Sequence, residues 1–327
     1  MTQLTSTAVV LTDKGCAELQ IFDTRALQDN EIRIANTVTG LSAGTEYLVC
    51  SGRMDDCKFP CTLGYQGVGR VVETGPRVTN CAVGDRTLSG INEFQPSHLA
   101  AGKGNAHQSH IIMDAGRLQE IADTVSDEHA SYTWLVSIAA QGVERGGVSS
   151  NDVVAIVGLG LIGQFACQIA CAAGAKVYAC DLIESRANLA AKRSVQAALT
   201  GDATALDGRL RRDHSDGANV VIECTGNNGA LDGALNLAAP NGRFVMQGYY
   251  PGQVQFRFIV PHEKRLTMHF PCAWGDLGAA LNMIATGTVQ VGPYLDGEYK
   301  PNESAQLYQR LYERDPTLQA AVIRWSD

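Results

Sequence analysis

Apolar residues change their spacing near residue 150, and the change divides the chain into two kinds of structure. Before it, short runs alternate apolar and polar positions, as in Thr7–Leu11, Glu31–Thr39 and Gly67–Thr74, with glycine or proline turns between them. Such alternation predicts half-buried β-strands, so roughly the first hundred residues should be an all-β half with long loops. After it, apolar runs of strand length at 153–157, 176–180, Asn219–Glu223, Arg243–Gln247 and Leu266–Cys272 alternate with helix-period segments at 161–173, 184–192 and 229–238. That alternation predicts an α/β fold with a parallel, doubly wound sheet and a ligand at the C-terminal ends of its strands. The last stretch carries helical patterns at Leu277–Ala285 and Glu303–Glu313 and a strand at Ala320–Trp325, and is expected to return to the N-terminal half. The expected division is 1–130 with 280–327 against 131–279, two cores in one chain of 327 residues.

The junction at 153–163 carries chemistry. Val153-Val-Ala-Ile-Val-Gly158-Leu-Gly160-Leu161-Ile162-Gly163 is an apolar strand running into a G-x-G-x-x-G turn, followed by a helical segment from Gln164. The first glycine permits the tight turn, the second admits a pyrophosphate to the backbone, the third lets helix pack on strand, and the helix N-terminus favours the phosphates. A second strand follows, Lys176-Val-Tyr-Ala-Cys180, with Asp181 at its end, where an acid takes the ribose hydroxyls of the adenosine half. A carboxylate there repels a 2′-phosphate, so NAD(H) is expected over NADP(H).

Composition narrows the function classes. The net charge is −8, and no basic cluster is longer than Arg209-Leu-Arg-Arg212, which opposes nucleic-acid binding through a basic face. No apolar run approaches the ~18–20 residues of a membrane span, and the start lacks a basic and apolar leader, so a cytoplasmic protein with no membrane partner is expected. Ten cysteines scattered through strand-like and helix-like segments predict reduced thiols, most of them buried. Cys167 and Cys171 lie one turn apart on the apolar side of their helix; Cys57 and Cys61, with Cys50 and Cys81 nearby, match no common structural-zinc spacing.

With that organisation, the chain resembles the medium-chain dehydrogenase/reductase superfamily over nearly its whole length. The landmarks are Gly40-Leu-Ser-Ala-Gly-Thr-Glu46, Leu63-Gly-Tyr65-Gln66-Gly-Val-Gly-Arg-Val71, Val83-Gly-Asp85-Arg86, Ile222-Glu-Cys-Thr-Gly226 and Asn241-Gly-Arg-Phe-Val-Met-Gln-Gly248. The resemblance implies a GroES-like, mostly-β catalytic domain, a Rossmann NAD-binding domain, and a homodimer through the Rossmann edge strand. His262, Lys264 and His269 lie around that edge. Expected cofactor contacts are Gly158, Gly160, Leu161, Ile162, Gly163, Asp181, Arg186, Cys224, Thr225, Gly226, Gly248 and Tyr249. Ser42–Glu46 with Ser51-Gly-Arg-Met54, Gly64-Tyr65, and Gly248-Tyr-Tyr-Pro251 with Phe256-Arg-Phe258 are similar to the branch containing bacteriochlorophyllide a dehydrogenase.

The departures from the family pattern concern zinc. Alignment on the landmarks puts Ala43, Tyr65 and Trp134 at the three catalytic-zinc positions, and Gln66 replaces the glutamate beside the lost histidine. A catalytic zinc needs about three protein ligands and an open position, so no zinc is expected. The structural-zinc lobe of four cysteines is also missing, since 87–107 contains none.

Without a metal, some other group must exchange a proton with the substrate oxygen. Thr45 occupies the family's hydroxyl relay position, Tyr65 points where the ligand was, and Glu46 aligns with the acid that orients the histidine. The expected catalytic trio is therefore Tyr65 as acid/base, Thr45 as a hydrogen bond to substrate and Glu46 as orienter. Tyr65 could instead only fill the space left by zinc. His110, Trp134 and Tyr250 are the expected substrate-pocket residues, and Trp274 is a further bulky candidate for a wall or a subunit contact. The expected activity is interconversion of a secondary alcohol with a ketone or aldehyde. Reduction of a conjugated C=C or C=N bond, or a non-catalytic NAD(H)-binding sensor or scaffold, are the competing possibilities.

Overall fold

The computed structural model describes residues 4–193, 195–271 and 274–326. In chain order the first elements are β1 (Thr5–Asp13), β2 (Cys16–Asp23), β3 (Glu31–Gly40), α1 (Ala43–Cys50), β4 (Cys61–Thr62), β5 (Gly67–Thr74), β6 (Arg86–Leu88), β7 (Ala100–Ala101), β8 (His110–Asp114), α2 (Asp127–Ala130) and α3 (Thr133–Arg145). There follow β9 (Val153–Val157), α4 (Leu161–Ala172), β10 (Lys176–Asp181), α5 (Glu184–Ala191), β11 (Ala197–Thr200), α6 (Ala203–Asp213), β12 (Ala218–Glu223), α7 (Asn228–Leu237), β13 (Ala238–Met246), α8 (Ile259–Glu263), β14 (Thr267–His269) and α9 (Leu277–Ala285). The chain ends with β15 (Leu295–Tyr299), α10 (Ser304–Tyr312) and β16 (Ala320–Arg324).

Two compact units result, one from residues 1–134 with 294–327 and one from 135–293. In the first, β2-β1-β4-β7 form one sheet and β15-β16-β3-β5-β6 a second, with β8 also paired to β3. The return of β16 onto β3, with Val322 opposite Gly40, brings the C-terminal strand to the segment that leads into α1. One core cluster there joins Val9, Leu41, Val49, Cys61 and Leu63 to Leu307, Tyr308 and Ile323.

The second unit has a parallel sheet of order β11-β10-β9-β12-β13-β14. All five residues of β9 are buried, as expected of a strand covered by helices on both faces. The strand and helix positions expected for β9, β10, α4 and α7 hold to within about two residues.

Three expectations need correction. The stretch after α5 adds β11 and α6, which the periodicity did not announce. β11 is a short edge strand that is only partly covered, while α6 is fixed locally by Asp202, which accepts from the N–H groups of Thr204 and Ala205. The last strand of this sheet is only Thr267–His269, shorter than Leu266–Cys272, and Cys272 lies outside the described residues. The return to the first unit comes at 294 rather than 280, because α9 and the segment after it belong to the second unit. Gln168 on α4 holds that segment by accepting from Gln290 N (2.8 Å) and donating to its carbonyl (3.3 Å). Among the described residues no helix is long and apolar enough to cross a membrane.

Candidate active site

In the second unit, β9 runs into a turn shaped for a dinucleotide. Gly158 has φ of +91°, and a Cβ there would lie 2.7 Å from the Thr225 methyl group. At Gly163 a Cβ would come within 1.9 Å of the Gly158 carbonyl oxygen, so only glycine lets α4 pack this closely on the turn. Gly160 differs, because a Cβ there would meet nothing within 4 Å. Gly160, the N-cap of α4, has no side chain to cap the first turn, where Leu161 is buried and Ile162 half-buried, and the free amides of such a helix start suit an anion.

Asp181 ends β10 and is fixed across that turn. Its Oδ2 accepts from Leu159 N (2.6 Å), its Oδ1 from Ile183 N (2.8 Å), and Arg186 Nη1 stands 3.9 Å from Oδ2. Each oxygen keeps a further lone pair, so the oriented carboxylate can still accept ribose hydroxyls. The buried Nε of Arg186 has no hydrogen-bond partner among the described residues.

The ends of β12 and β13 meet beside the same turn. Glu223, absent from the expected site, is fully buried and accepts from Thr225 N (2.8 Å), the Thr225 hydroxyl, the Tyr250 hydroxyl and, more weakly, Gly226 N (3.4 Å). Burial raises its pKa against the pull of those donors. Tyr250, expected on the substrate pocket, is thus committed to Glu223 in the second unit, while Tyr249 is the exposed member of the pair at 48%. Burial likewise pushes the Cys224 thiol well up, so it stays protonated and inert.

The first unit holds the proposed chemistry. Tyr65 is buried, with its hydroxyl 2.5 Å from Ser42 Oγ, and the Thr45 hydroxyl nearby also favours its ionised form. Ser42 stands at the N-terminus of α1 and Thr45 in its first turn, and the segment between β4 and β5 supplies Tyr65. Burial pushes the phenol up to about 12, against the two hydroxyls, rather than leaving it at its ordinary value of 10.0. Tyr65 is therefore a neutral hydroxyl at any working pH.

Glu46 does not orient Tyr65 through its carboxylate, which corrects the expectation. It accepts from Ser42 N (2.8 Å), His107 Nε2 (3.1 Å) and the Tyr308 hydroxyl. His107 Nδ1 lies 2.7 Å from Thr39 Oγ1, which accepts from Trp325 Nε1 at 2.9 Å. Indole N–H only donates, so the Thr39 proton is free for Nδ1 and Nε2–H donates to Glu46. Every member of this buried chain is satisfied, and its effect is to fix the residues on which Ser42 and Thr45 sit. His107 and Tyr308 were missed because only folding brings residues 46, 107 and 308 together. Ser42 could have been found from its place beside Ala43.

Trp134 is buried next to Tyr65, since a Cβ on Gly90 would lie 2.4 Å from both the indole Cζ2 and the Tyr65 carbonyl oxygen. His110 begins β8 with its Nδ1 3.1 Å from Ser109 Oγ, and burial together with the Arg33 charge lowers its pKa. No described hydrogen bond joins it to Tyr65. Ala43, Tyr65 and Trp134 provide no set of metal donors, and no group of three or more His, Cys, Asp or Glu suited to a metal occurs among the described residues. The Cys57 thiol donates to the Val49 carbonyl oxygen, and burial pushes the thiols of both Cys57 and Cys61 up.

Residues 28–127 match the family described as alcohol dehydrogenase GroES-like domain, and residues 162–286 the family described as zinc-binding dehydrogenase. The D-xylulose reductase of Morganella morganii is 23% identical over 330 residues, covering 94% of this chain and 97% of that protein. Among solved structures, 2R,3R-butanediol dehydrogenase from Bacillus subtilis superimposes with a TM-score of 0.83 at 19% identity, covering 98% of this chain and 99% of that one. A short chain alcohol dehydrogenase from Escherichia coli CFT073, complexed with NADH, gives 0.85 at 15% identity, covering 98% and 99%. Both structures share the fold.

Proposed function

The chain belongs to the medium-chain dehydrogenase/reductase superfamily, and from that footing we propose that it is a zinc-independent, NAD(H)-dependent oxidoreductase interconverting a secondary alcohol, of the polyol class among others, and its carbonyl partner. The observation that carries this is the hydroxyl cluster of buried Ser42 and Tyr65 with half-buried Thr45 in place of zinc ligands. The dinucleotide turn and the oriented Asp181 fit a nicotinamide dinucleotide, which supplies the hydride acceptor or donor when bound. In reduction, Tyr65 gives its proton to the oxygen that becomes an alkoxide, a stronger base than the phenolate left behind. Thr45 and Ser42 hold the phenol and stabilise its conjugate base. The reading is tested by assaying polyols and secondary alcohols with NAD+; binding of NADH without turnover on any of them would sink it.

The donor set does not fit zinc, so purified protein should contain no stoichiometric zinc, and chelators should leave activity intact. About one zinc per chain, lost together with activity, would overturn this.

NADH should bind more tightly than NADPH, because the Asp181 carboxylate would face a phosphate of about −1.5 to −2 charge. Asp181→Ala should narrow the gap from both sides, since it deletes the ribose acceptor and leaves Arg186, now 3.9 Å from that carboxylate, to meet the phosphate. Titration of both cofactors checks it, and a wild-type preference for NADPH would end the claim.

The proposed assembly is a homodimer through β14. Edge pairing is supported by this short strand and by exposed Phe258, Phe270 and Trp274 around it. Light scattering should give twice the chain mass, and Phe270→Asp should lower it.

A further inference from the structure

We infer that Glu223 and Tyr250 are positioning residues for the nicotinamide half of the bound dinucleotide, an inference that rests on the cofactor reading above. In the sheet, β10 lies on one side of β9, and β12 and β13 lie on the other. If the adenosine ribose meets Asp181 after β10 and the pyrophosphate meets the turn after β9, the loops after β12 and β13 flank the remaining half of the ligand.

Those two loops are held to each other through one buried carboxylate. Glu223 is the last residue of β12, paired with Val157 of β9 on one side and Met246 of β13 on the other. Its backbone carbonyl accepts from Gln247 N and Gly248 N, both at 2.9 Å. Its side chain binds Thr225 in its own loop and the Tyr250 hydroxyl in the neighbouring one. The contact is tight enough that a Cβ on Gly248 would lie 2.4 Å from Gly226 N and 3.0 Å from Glu223 Oε2. The Thr225 methyl group in turn abuts Gly158 of the phosphate turn. One carboxylate therefore sets the separation of both loops and their distance from the turn. A charged group left in so buried a place is costly, and a strand end needs no acid to terminate it.

The variants are Glu223→Gln, whose amide can accept from Thr225 and donate to the Tyr250 oxygen, and Tyr250→Phe, which deletes one donor and keeps the ring. Both are read with NADH and with ADP, which carries only the adenosine half and the phosphates. Each variant should weaken NADH by about tenfold, the worth of a hydrogen bond to a charged group, while ADP affinity stays within about twofold of wild type. The double variant should lose little more than either single one, because both act on the same contact. Equal loss for NADH and ADP would show a general loosening of the unit, and unchanged NADH affinity would show a contact of no consequence; either overturns the inference. Wild-type protein that fails to bind NADH would instead overturn the cofactor reading, so the two failures are distinguishable.

Discussion

Gly160→Val should abolish measurable dinucleotide binding while the protein stays folded. Position 160 is open on the side where a Cβ would point, so the valine meets no neighbour and the unit keeps its packing. The space it fills is the one in front of the first turn of α4, where the backbone amides would take the pyrophosphate. Losing two or more charge-assisted hydrogen bonds, each worth about 1.5–3 kcal/mol, predicts a fall in affinity of at least about 10²-fold. Gly163→Val is the contrast, because a Cβ there stands 1.9 Å from the Gly158 carbonyl oxygen and must force α4 off the sheet. That variant should lose stability first and binding as a consequence. Calorimetric titration with NADH, beside a thermal melt of each variant, separates the two, and native NADH affinity in Gly160→Val would place the phosphates elsewhere.

The same two glycines show what was legible in the sequence. A turn that packs backbone on backbone leaves a local signature, so β9, α4, Asp181 and the parallel sheet could be anticipated from consecutive residues. β11 could not, since a partly covered edge strand of Ala197-Ala-Leu-Thr200 has no periodicity to announce it. The site divides in the same way. Thr45 and Tyr65 were visible by position, and the structure brings them together. The role of Glu46 was misassigned because its partners come from distant segments: His107 from the loop before β8 and Tyr308 from α10. Glu223 was passed over for a further reason, that an acid at a strand end looks exposed until both neighbouring strands are known to cover it. Buried polar groups are placed by tertiary contacts, and sequence spacing says little about them.

Tyr65 carries the chemistry, and its phenol can be removed with little else disturbed. Tyr65→Phe keeps the ring that fills the space beside Trp134 and Gly90, and deletes only the hydroxyl shared with Ser42 and Thr45. Stability should fall by about 1 kcal/mol, the worth of a buried hydrogen bond, and NADH affinity should not move, since the cofactor turn lies in the other unit. Turnover should fall by roughly 10²–10⁴-fold, the contribution of a positioned general acid or base. Thr45→Val should also slow the reaction, and the two losses should be non-additive because both hydroxyls act on one oxygen. The pH profile adds a sign. Burial holds the phenol up at about 12, so the proton donor is fully loaded through neutral pH and carbonyl reduction should be flat there, declining only as pH rises toward that value. Alcohol oxidation needs the opposite protonation state and should rise with pH over the same range. In Tyr65→Phe both dependences on this group disappear. Near-normal turnover in that variant, with the wild-type pH profile intact, would make the phenol a space-filler and move the search for the proton donor to the Thr45 hydroxyl.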